Sequence, residues 1–385
     1  MRKKSFLIKL IGSTIVVGAS MTFLTVNLTS CWQGGIKYVM HRGLSSQYFE
    51  NTADSFKAAG KLATTWGIET DVYLTKDNNG NHPLVCAHDV NPFRISATNS
   101  TRDAGYYDLD ATTPAYVPGV CNPHPDDFDP LWDPRTSVET DDDPPITISG
   151  GGYQIVNHTY DDIKNKQLWT GHCTYSSDWG KYEVVSDDYN AYGISGDYVV
   201  PTFSEYLNIC KEYNKEAVIE IKDENAYWGT GYANALMLEL VNEVNTVGWS
   251  NHCTIIAFDG SVYDSASDPL SLPFYNALKT LSTSSLNESI KETSQKLLPK
   301  FQKLIWSDHE HESPTTEAYW AINQKNLSID VDSSVLLASG GANIVKQAHR
   351  KGLIVNTWTV NDEKIRNELL AIGVDQISTN IAFSF

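Results

Sequence analysis

Short β-strand patterns alternate with helical patterns along most of this chain, and that alternation restricts the fold more than any other feature of the sequence. Eight apolar or β-branched runs have the length of buried strands; they are 36–40, 68–74, 217–221, 253–258, 303–306, 327–331, 353–359 and 374–379. Five segments between them carry the spacing of amphipathic helices; they are 53–65, 203–213, 233–247, 334–350 and 362–372. Strands separated by helices favour a parallel sheet, and eight such strands favour its closure into a barrel. We therefore predict an α/β fold of the TIM (β/α)8 barrel class.

A long segment interrupts this alternation after the second strand. The apolar run 84–87 lies too close to 68–74 for a crossover helix, and the turn-like residues 77–80 between them predict an antiparallel return strand. Residues 92–200 are then rich in Asp, Pro, Gly and Tyr and lack the strand and helix periodicity of the remaining chain. We predict that they form a large inserted loop region after the return hairpin.

The insertion contains two acidic clusters, at 126–129 and 141–143. A calcium-binding loop is one interpretation, but the first cluster lacks the glycine and distal glutamate of an EF-hand loop. We favour a solvated acidic loop. The barrel and its insertion together are predicted to form one domain over residues 31–385.

The amino terminus has the pattern of an export signal. Basic residues at positions 2–4 precede a mostly apolar stretch over 6–26, and the stretch is followed by Leu28-Thr29-Ser30-Cys31, which resembles the bacterial lipobox. We predict a lipoprotein signal peptide over residues 1–30 and a lipid anchor on Cys31, which place the protein at the extracytoplasmic face of the bacterial cell membrane. The alternative is an uncleaved membrane anchor that ends in a cysteine by chance.

The charge balance excludes one class of partner. The chain has 29 Lys and Arg against 47 Asp and Glu, a formal net charge of −18. A protein that follows nucleic-acid phosphates needs a basic face, so we expect no nucleic-acid partner. An anionic substrate would need local positive charge, which a metal ion supplies most simply.

Charged side chains occur in pairs within two predicted strands. Side chains alternate across a strand, so Glu69 and Asp71 point to one side, and Glu220 and Lys222 likewise share a side. Carboxylates that share one barrel mouth repel each other unless a cation lies between them. Oxygen ligands of this kind suit Mg²⁺ or Ca²⁺, so the sequence predicts a divalent-cation site. Solvent-facing charges on edge strands are the alternative for either pair alone.

Two histidines follow predicted strands at the same end of the barrel. His41 ends the first strand and precedes Arg42 and Gly43, and His88 ends the return strand. Imidazole titrates near neutral pH, so the two histidines are candidates for an acid–base pair, although a lone histidine is more often structural. Arg42 offers a planar fork for phosphate oxygens, and Gly43 would let the backbone approach a ligand closely.

Together these residues resemble glycerophosphodiester phosphodiesterases. Nine short motifs match that family in order and approximate spacing; they are His41-Arg42-Gly43, Glu50-Asn51-Thr52, Glu69-x-Asp71-Val72, Thr75-Lys76-Asp77, His88-Asp89, Pro201-Thr202 with Glu205, Glu220-Ile221-Lys222, Trp358-Thr359-Val360-Asn361 and Gly373-Val374-Asp375. The resemblance covers about residues 36–385 apart from the insertion.

The resemblance implies a role for each matching position. The acid–base pair is His41 and His88, the metal ligands are Glu69, Asp71 and Glu220, and the phosphate-binding cations are Arg42 and Lys222. Glu50 falls where the family has a site-supporting acid. Asn51 and Thr52 also fit a helix N-terminal cap. Trp358 is expected to wall the glycerol pocket, with core packing as the alternative.

The activity that the resemblance implies is metal-dependent hydrolysis of small glycerophosphodiesters. The substrates would include glycerophosphocholine and glycerophosphoethanolamine, and the products glycerol 3-phosphate and an alcohol. Which histidine is the acid, which metal binds, and whether a cyclic phosphate forms are left open. The alternatives are a related phospholipase that acts on intact lipid, of the sphingomyelinase D or phosphoinositide lipase type, and a non-catalytic surface-binding lipoprotein.

The chain departs from the family pattern at two places. Asn380 follows Thr379 where the family usually has aspartate, and Ala257 precedes Phe258 where serine is common. We expect these changes to affect substrate contacts or strand-end packing more than the chemistry. The acidic and histidine-rich segment 308–311 follows the fifth predicted strand, and we interpret it as a solvated loop.

Overall fold

The strands of the computed structural model follow the predicted alternation. The structure describes residues 35–48, 50–76, 78, 80, 82–88, 105–108, 115–118, 120–123, 137–139, 147–149, 155–164, 172–176, 181–186, 200–222, 229–258, 272–285, 287–307 and 313–383. In chain order the strands are β1 (Lys37–Met40), β2 (Thr65–Leu74), β3 (Leu84–Cys86), β4 (Gly105–Asp108), β5 (Ala115–Pro118), β6 (Val120–Pro123), β7 (Ser137–Glu139), β8 (Thr147–Ser149), β9 (His172–Ser176), β10 (Lys181–Ser186), β11 (Glu216–Ile221), β12 (Cys253–Ala257), β13 (Phe301–Ile305), β14 (Ser328–Asp332), β15 (Val355–Trp358) and β16 (Gln376–Thr379).

Eight of these strands close into a parallel barrel. Around the barrel the order is β1, β2, β11, β12, β13, β14, β15 and β16, and β1 pairs with both β2 and β16. Each of the eight predicted runs overlaps one barrel strand, which confirms the TIM-barrel prediction. The return strand is also confirmed, because β3 pairs with β2 in the antiparallel sense.

Helices connect the barrel strands and pack against one another. They are α1 (Ala53–Lys61), α2 (Tyr160–Lys164), α3 (Phe203–Glu212), α4 (Gly229–Val247), α5 (Pro273–Thr283), α6 (Glu288–Leu297), α7 (Pro314–Trp320), α8 (Ser333–Leu337), α9 (Gly341–Arg350) and α10 (Glu363–Ile372). Short 3₁₀ turns occur at Ile155–Asn157, Ser250–His252 and Leu298–Lys300, and a π-helical turn at Ala321–Lys325. Among the helices so described, none is both long enough and apolar enough to cross a bilayer.

Local sequence signals explain where many of these helices begin. Six of the described helices start after a residue whose side chain accepts a backbone hydrogen bond from the first turn; these residues are Thr52, Thr202, Asn287, Ser313, Asp332 and Asp362. Such caps satisfy amide groups that have no partner within the helix. The caps therefore fix the residue at which each of these helices begins.

One helical expectation was wrong. The periodicity over 334–350 predicts one helix, but Gly340 takes a φ of 103° and divides the segment into α8 and α9. The structure also has helices outside the five expected segments; α6 is one of them, and its buried face uses Thr293 and Ser294 beside Ile290 and Leu297. Ser294 satisfies its hydroxyl by donating to the carbonyl of Ile290 at 2.8 Å.

The predicted insertion lies between β3 and α3. Its described strands form small antiparallel sheets, β4 with β5, β7 with β8, and β10 between β6 and β9. The acidic clusters at 126–129 and 141–143 lie outside the described residues, as do the signal segment 1–30 and Cys31. The segment 308–311 also lies outside them.

An apolar layer fills the middle of the barrel. Val39, Val218, Ile256 and Leu304 are buried together, one from each of four strands. Because side chains alternate along a strand, the next inward-facing residues toward the carboxyl ends lie directly above this layer. That end of the barrel carries the polar residues described next.

Candidate active site

Three carboxylates converge at the carboxyl end of the barrel. Glu69 and Asp71 both project from β2, and Glu220 projects from β11 in register with Asp71. One oxygen from each lies within 4.8 Å of the others, and the residues are 1%, 0% and 7% exposed. This carboxylate cage contains the residues that strand parity predicted as metal ligands.

Two basic residues partly balance the cage. Lys222 forms an ion pair with Glu220, and its Nζ lies 3.0 Å from Asp71 Oδ1. Arg42 Nε lies 3.3 Å from Asp71 Oδ2, and the Arg42 backbone amide donates to Glu69 Oε2 at 2.7 Å. Three acids against two cations leave a local excess of negative charge.

The protonation equilibria show the same imbalance. Burial, and then the charges of Asp71 and Glu220, raise the pKa of Glu69 well above its usual value. Burial would also raise the pKa of Asp71, but Lys222 and Arg42 outweigh that effect and lower it. The pKa values of these two neighbouring acids thus shift in opposite directions, because both basic side chains contact Asp71.

The cage fits a hard divalent cation. Glu69 Oε1 is buried and accepts no hydrogen bond from the described part of the chain, which leaves a polar atom that a cation would satisfy. Oxygen-only ligands with some positions left for water and substrate suit Mg²⁺ and Ca²⁺. The donor set therefore agrees with a divalent-cation site and does not choose between the two ions.

His41 lies beside the cage in a fixed orientation. Its Nδ1 is 2.8 Å from the side-chain oxygen of Asn380, and its Nε2 is 4.0 Å from Glu69 Oε2. The amide oxygen can only accept, so Nδ1 carries the proton and neutral Nε2 presents a lone pair. Burial, followed by the charge of Arg42, lowers the pKa of His41 to about 4.

His88 lies within electrostatic range of the same groups. It follows β3, and its backbone carbonyl accepts a hydrogen bond from the hydroxyl of Tyr73 at 3.0 Å. Burial, and then Arg42 and Lys222, hold the pKa of His88 well below its usual value, while Asp71 opposes them. The structure thus places His41 beside the carboxylate cage and His88 within electrostatic range of Asp71.

The loop after β1 positions Arg42. Glu50 accepts from Arg42 Nη1 at 3.1 and 3.3 Å, so the described contact of Glu50 is with the arginine. Gly43 was expected to admit a ligand, but a side chain there would meet Ser55 instead, with its Cβ 2.7 Å from the backbone carbon of that residue. With a φ of 81° as well, Gly43 allows α1 to pack against this loop.

Two asparagines support the site in ways that sequence reasoning missed. Asn51, expected to cap a helix, is 1% exposed and donates to Asp71 Oδ2 at 2.7 Å, while Thr52 forms the cap. Asn380, expected to affect substrate contacts or strand-end packing more than the chemistry, holds His41. A clue to Asn380 was available, because barrel closure must place the end of the last strand beside the first.

Trp358 belongs to an aromatic cluster at the same end of the barrel. Its ring centroid lies 6.0 Å from that of Phe258 and 6.4 Å from that of Trp306. The three residues come from β15 and from the ends of β12 and β13; β12 adjoins the cage strand β11, whereas β15 lies on the opposite side of the barrel. A pocket-wall role for Trp358 agrees with this position and stays a prediction.

An eight-stranded barrel with an acidic cage, two flanking cations and two imidazoles at its carboxyl end defines an enzyme site for phosphate esters. The sequence profile of the Glycerophosphoryl diester phosphodiesterase family matches residues 41–382. The chain therefore belongs to that family and is an enzyme that hydrolyses glycerophosphodiesters.

Solved structures resemble this barrel at low sequence identity. A candidate glycerophosphoryl diester phosphodiesterase from Silicibacter pomeroyi is 16% identical, with 91% of each chain covered and a TM-score of 0.54, which supports the fold. A glycerophosphodiester phosphodiesterase from Parabacteroides distasonis is 18% identical over 91% of this chain and 94% of that one, with a TM-score of 0.48. An Oleispira antarctica phosphodiesterase, solved with its product sn-glycerol-3-phosphate, is 15% identical over 89% and 92%, with a TM-score of 0.46. Comparison with curated proteins gave no match.

Proposed function

We propose that the protein cleaves small glycerophosphodiesters, such as glycerophosphocholine and glycerophosphoethanolamine, in a divalent-metal-dependent reaction with His41 and His88 as the acid–base pair. The products are glycerol 3-phosphate and an alcohol. The observation that carries the proposal is the convergence of three carboxylate oxygens within 4.8 Å, beside two cationic side chains and two imidazoles.

Glu69, Asp71 and Glu220 hold the cation, Ca²⁺ or Mg²⁺. When bound, it supplies Lewis-acid polarisation of a phosphoryl oxygen. Arg42 and Lys222 already lie at the edge of the cage, and their donors offset the negative charge that develops on the phosphoryl oxygens. Both carboxylate oxygens of Glu50 accept from Arg42 Nη1, so the guanidinium is already oriented before the substrate binds.

The histidines divide the proton transfers. Neutral His41 presents Nε2 as an acceptor because Asn380 holds the proton on Nδ1, so we assign His41 the removal of a proton from the attacking oxygen. His88 then protonates the departing alcohol. Burial, and then the charge of Arg42, lowers the pKa of both imidazoles, and Lys222 adds to this effect at His88. A substrate phosphodiester anion opposes that charge and favours protonation of His88.

The test measures alcohol release from glycerophosphocholine by the purified protein with Ca²⁺, with Mg²⁺ and with chelator. His41→Ala and His88→Ala should each lower kcat by about 10²–10⁴. His349→Ala is the matched control, because His349 is an exposed histidine that pairs with Asp375 away from the site. Near-normal turnover in either histidine variant, or full activity after chelation, would overturn the assignment.

Intact lipids form the second arm of the same assay. Release from sphingomyelin or phosphatidylinositol alone would support the phospholipase alternative, and release from no substrate would support a binding protein.

In addition, we propose that a lipid on Cys31 tethers the enzyme to the extracytoplasmic face of a bacterial membrane. The lipobox-like sequence at 28–31 supports this location. Cys31→Ala should abolish labelling by radioactive fatty acid and release the protein from membranes; unchanged labelling would contradict it.

A further inference from the structure

The return strand β3 forms one edge of the barrel sheet. It pairs with β2 on one side, and the amides of Leu84 and Cys86 face the other way. Cys86 donates to the carbonyl of Pro201 at 3.0 Å, and Leu84 donates to Glu243 Oε1 at 2.8 Å. One edge contact of this three-residue strand therefore comes from a side chain.

Glu243 lies on α4 and is only 7% exposed. Its second oxygen accepts from Ser204 Oγ at 2.6 Å, so one carboxyl group joins β3, α3 and α4. Burial raises the pKa of Glu243 to about 7, although the hydrogen bonds from Ser204 and Leu84 oppose that rise. Burying an acid costs free energy compared with burying an apolar side chain of similar size, and the two hydrogen bonds to Glu243 offset part of that cost.

Glu239 and His82 form a weaker contact at the surface of the same region. Their charged atoms are 3.7 Å apart, and the side chains are 21% and 33% exposed. An exposed pair of this kind contributes little to stability. Glu243 is thus the buried side-chain contact between α4 and the described part of the hairpin.

The strand that Glu243 holds leads directly into His88. Past Cys86, the amide of Ala87 donates to the carbonyl of Asp71 at 3.1 Å. The hydroxyl of Tyr73 then holds the carbonyl of His88. The hairpin therefore fixes the His88 backbone relative to β2, the strand that carries two cage acids. A shift of β3 along its edge would move His88 away from the cage.

We propose that Glu243 is a positioning residue for His88. Its carboxyl group clamps the outer edge of β3 to α3 and α4 and so holds the chain that carries His88 in place beside β2. The inference rests on the proposed catalytic role of His88. Because near-attack geometry is sensitive to shifts of about 1 Å, loss of the clamp should reduce turnover although Glu243 never meets the substrate.

Glu243→Ala should lower kcat on glycerophosphocholine by about 10- to 100-fold and change KM by less than about twofold. Glu243→Gln should recover activity to within about threefold, because the amide oxygen still accepts from Leu84 and the amide nitrogen donates to Ser204. Glu212→Ala, which removes an exposed acid of α3, is the matched control. Wild-type kcat in Glu243→Ala, or no recovery with glutamine, would overturn the proposal. If the alanine variant does not fold, Glu243→Leu fills the space without supplying an acceptor.

A double-mutant cycle with His88→Ala separates this proposal from the proposed function. If Glu243 acts through His88, adding Glu243→Ala to the His88→Ala variant should lower kcat by less than about twofold. An undiminished loss there would contradict the inference. Near-normal turnover in His88→Ala alone would instead refute the catalytic role of His88. In either case, hydrogen exchange at the Leu84 amide should speed up by at least about tenfold in Glu243→Ala and stay slow in Glu243→Gln; unchanged exchange would disprove the clamp.

Discussion

Replacing Glu243 with glutamine should change how the stability of this protein depends on pH. The carboxyl has a pKa of about 7 in the folded protein, against 4.5 for an unburied glutamate. Its folded-state pKa is raised, so its contribution to stability is fully present below the unfolded pKa. That contribution is lost as pH rises through about 7. Glutamine keeps both hydrogen bonds and does not ionise, so the variant loses the pH dependence of stability that ionisation of Glu243 causes.

The magnitude follows from proton linkage between the two states. With a pKa of about 7 folded and 4.5 unfolded, the wild-type free energy of unfolding should fall by about 2–3 kcal/mol more than that of Glu243→Gln between about pH 5 and about pH 8. The cage acids and the histidines also titrate. They are common to both proteins, so their effects cancel in the difference.

Urea unfolding followed by tryptophan fluorescence, at several pH values and with chelator present, measures this difference. Glu212→Gln is the control, because an exposed acid of α3 should leave the pH dependence unchanged. Parallel stability curves for wild type and Glu243→Gln would refute the reasoning, since they would mean that the buried carboxyl titrates alike in the folded and unfolded chains.

Three further changes test the site. Asn380→Asp places a carboxylate 2.8 Å from His41 Nδ1 and should raise the His41 pKa by about 1–3 units, so the acid limb of the kcat/KM profile moves to higher pH; an unmoved limb would argue against His41 as the base. Gly43→Ala meets backbone at a φ of 81° and should lower the free energy of unfolding by about 2 kcal/mol or more; unchanged urea denaturation would contradict the packing argument. Asn51→Asp replaces a donor 2.7 Å from Asp71 Oδ2 by an acid. It should lower the free energy of unfolding, measured by urea denaturation, by about 3 kcal/mol in chelator and by less with Ca²⁺. An equal loss in both conditions would count against a cation in the cage.

The barrel was predictable because its signals are local. The alternation of strands and helices identified all eight barrel strands, and side-chain parity alone put Glu69 and Asp71 on one face of β2. Capping residues such as Thr52 and Thr202 likewise act within one turn. Each of these signals depends on residues a few positions apart.

The missed features depend on packing between distant segments. The helix α6 buries Thr293 and Ser294 against its neighbours, so the sequence shows no apolar stripe there. Asn51 contacts a cage acid 20 residues away, and Ser204 and Leu84 share a carboxylate from α4. No periodic pattern marks such contacts, because they form only when separate elements meet.

The chain itself therefore determined a parallel barrel, the face of β2 and of β11 that carries acids, and the side chains proposed to hold a cation and move protons. Tertiary structure decided how those groups are held. Closing the barrel brings Asn380 to His41 across 339 residues, and the return hairpin brings His88 within range of Arg42 and Asp71. The physical reason is that secondary structure follows from neighbouring residues, whereas the orientation and pKa of a buried side chain depend on whatever the folded chain places around it.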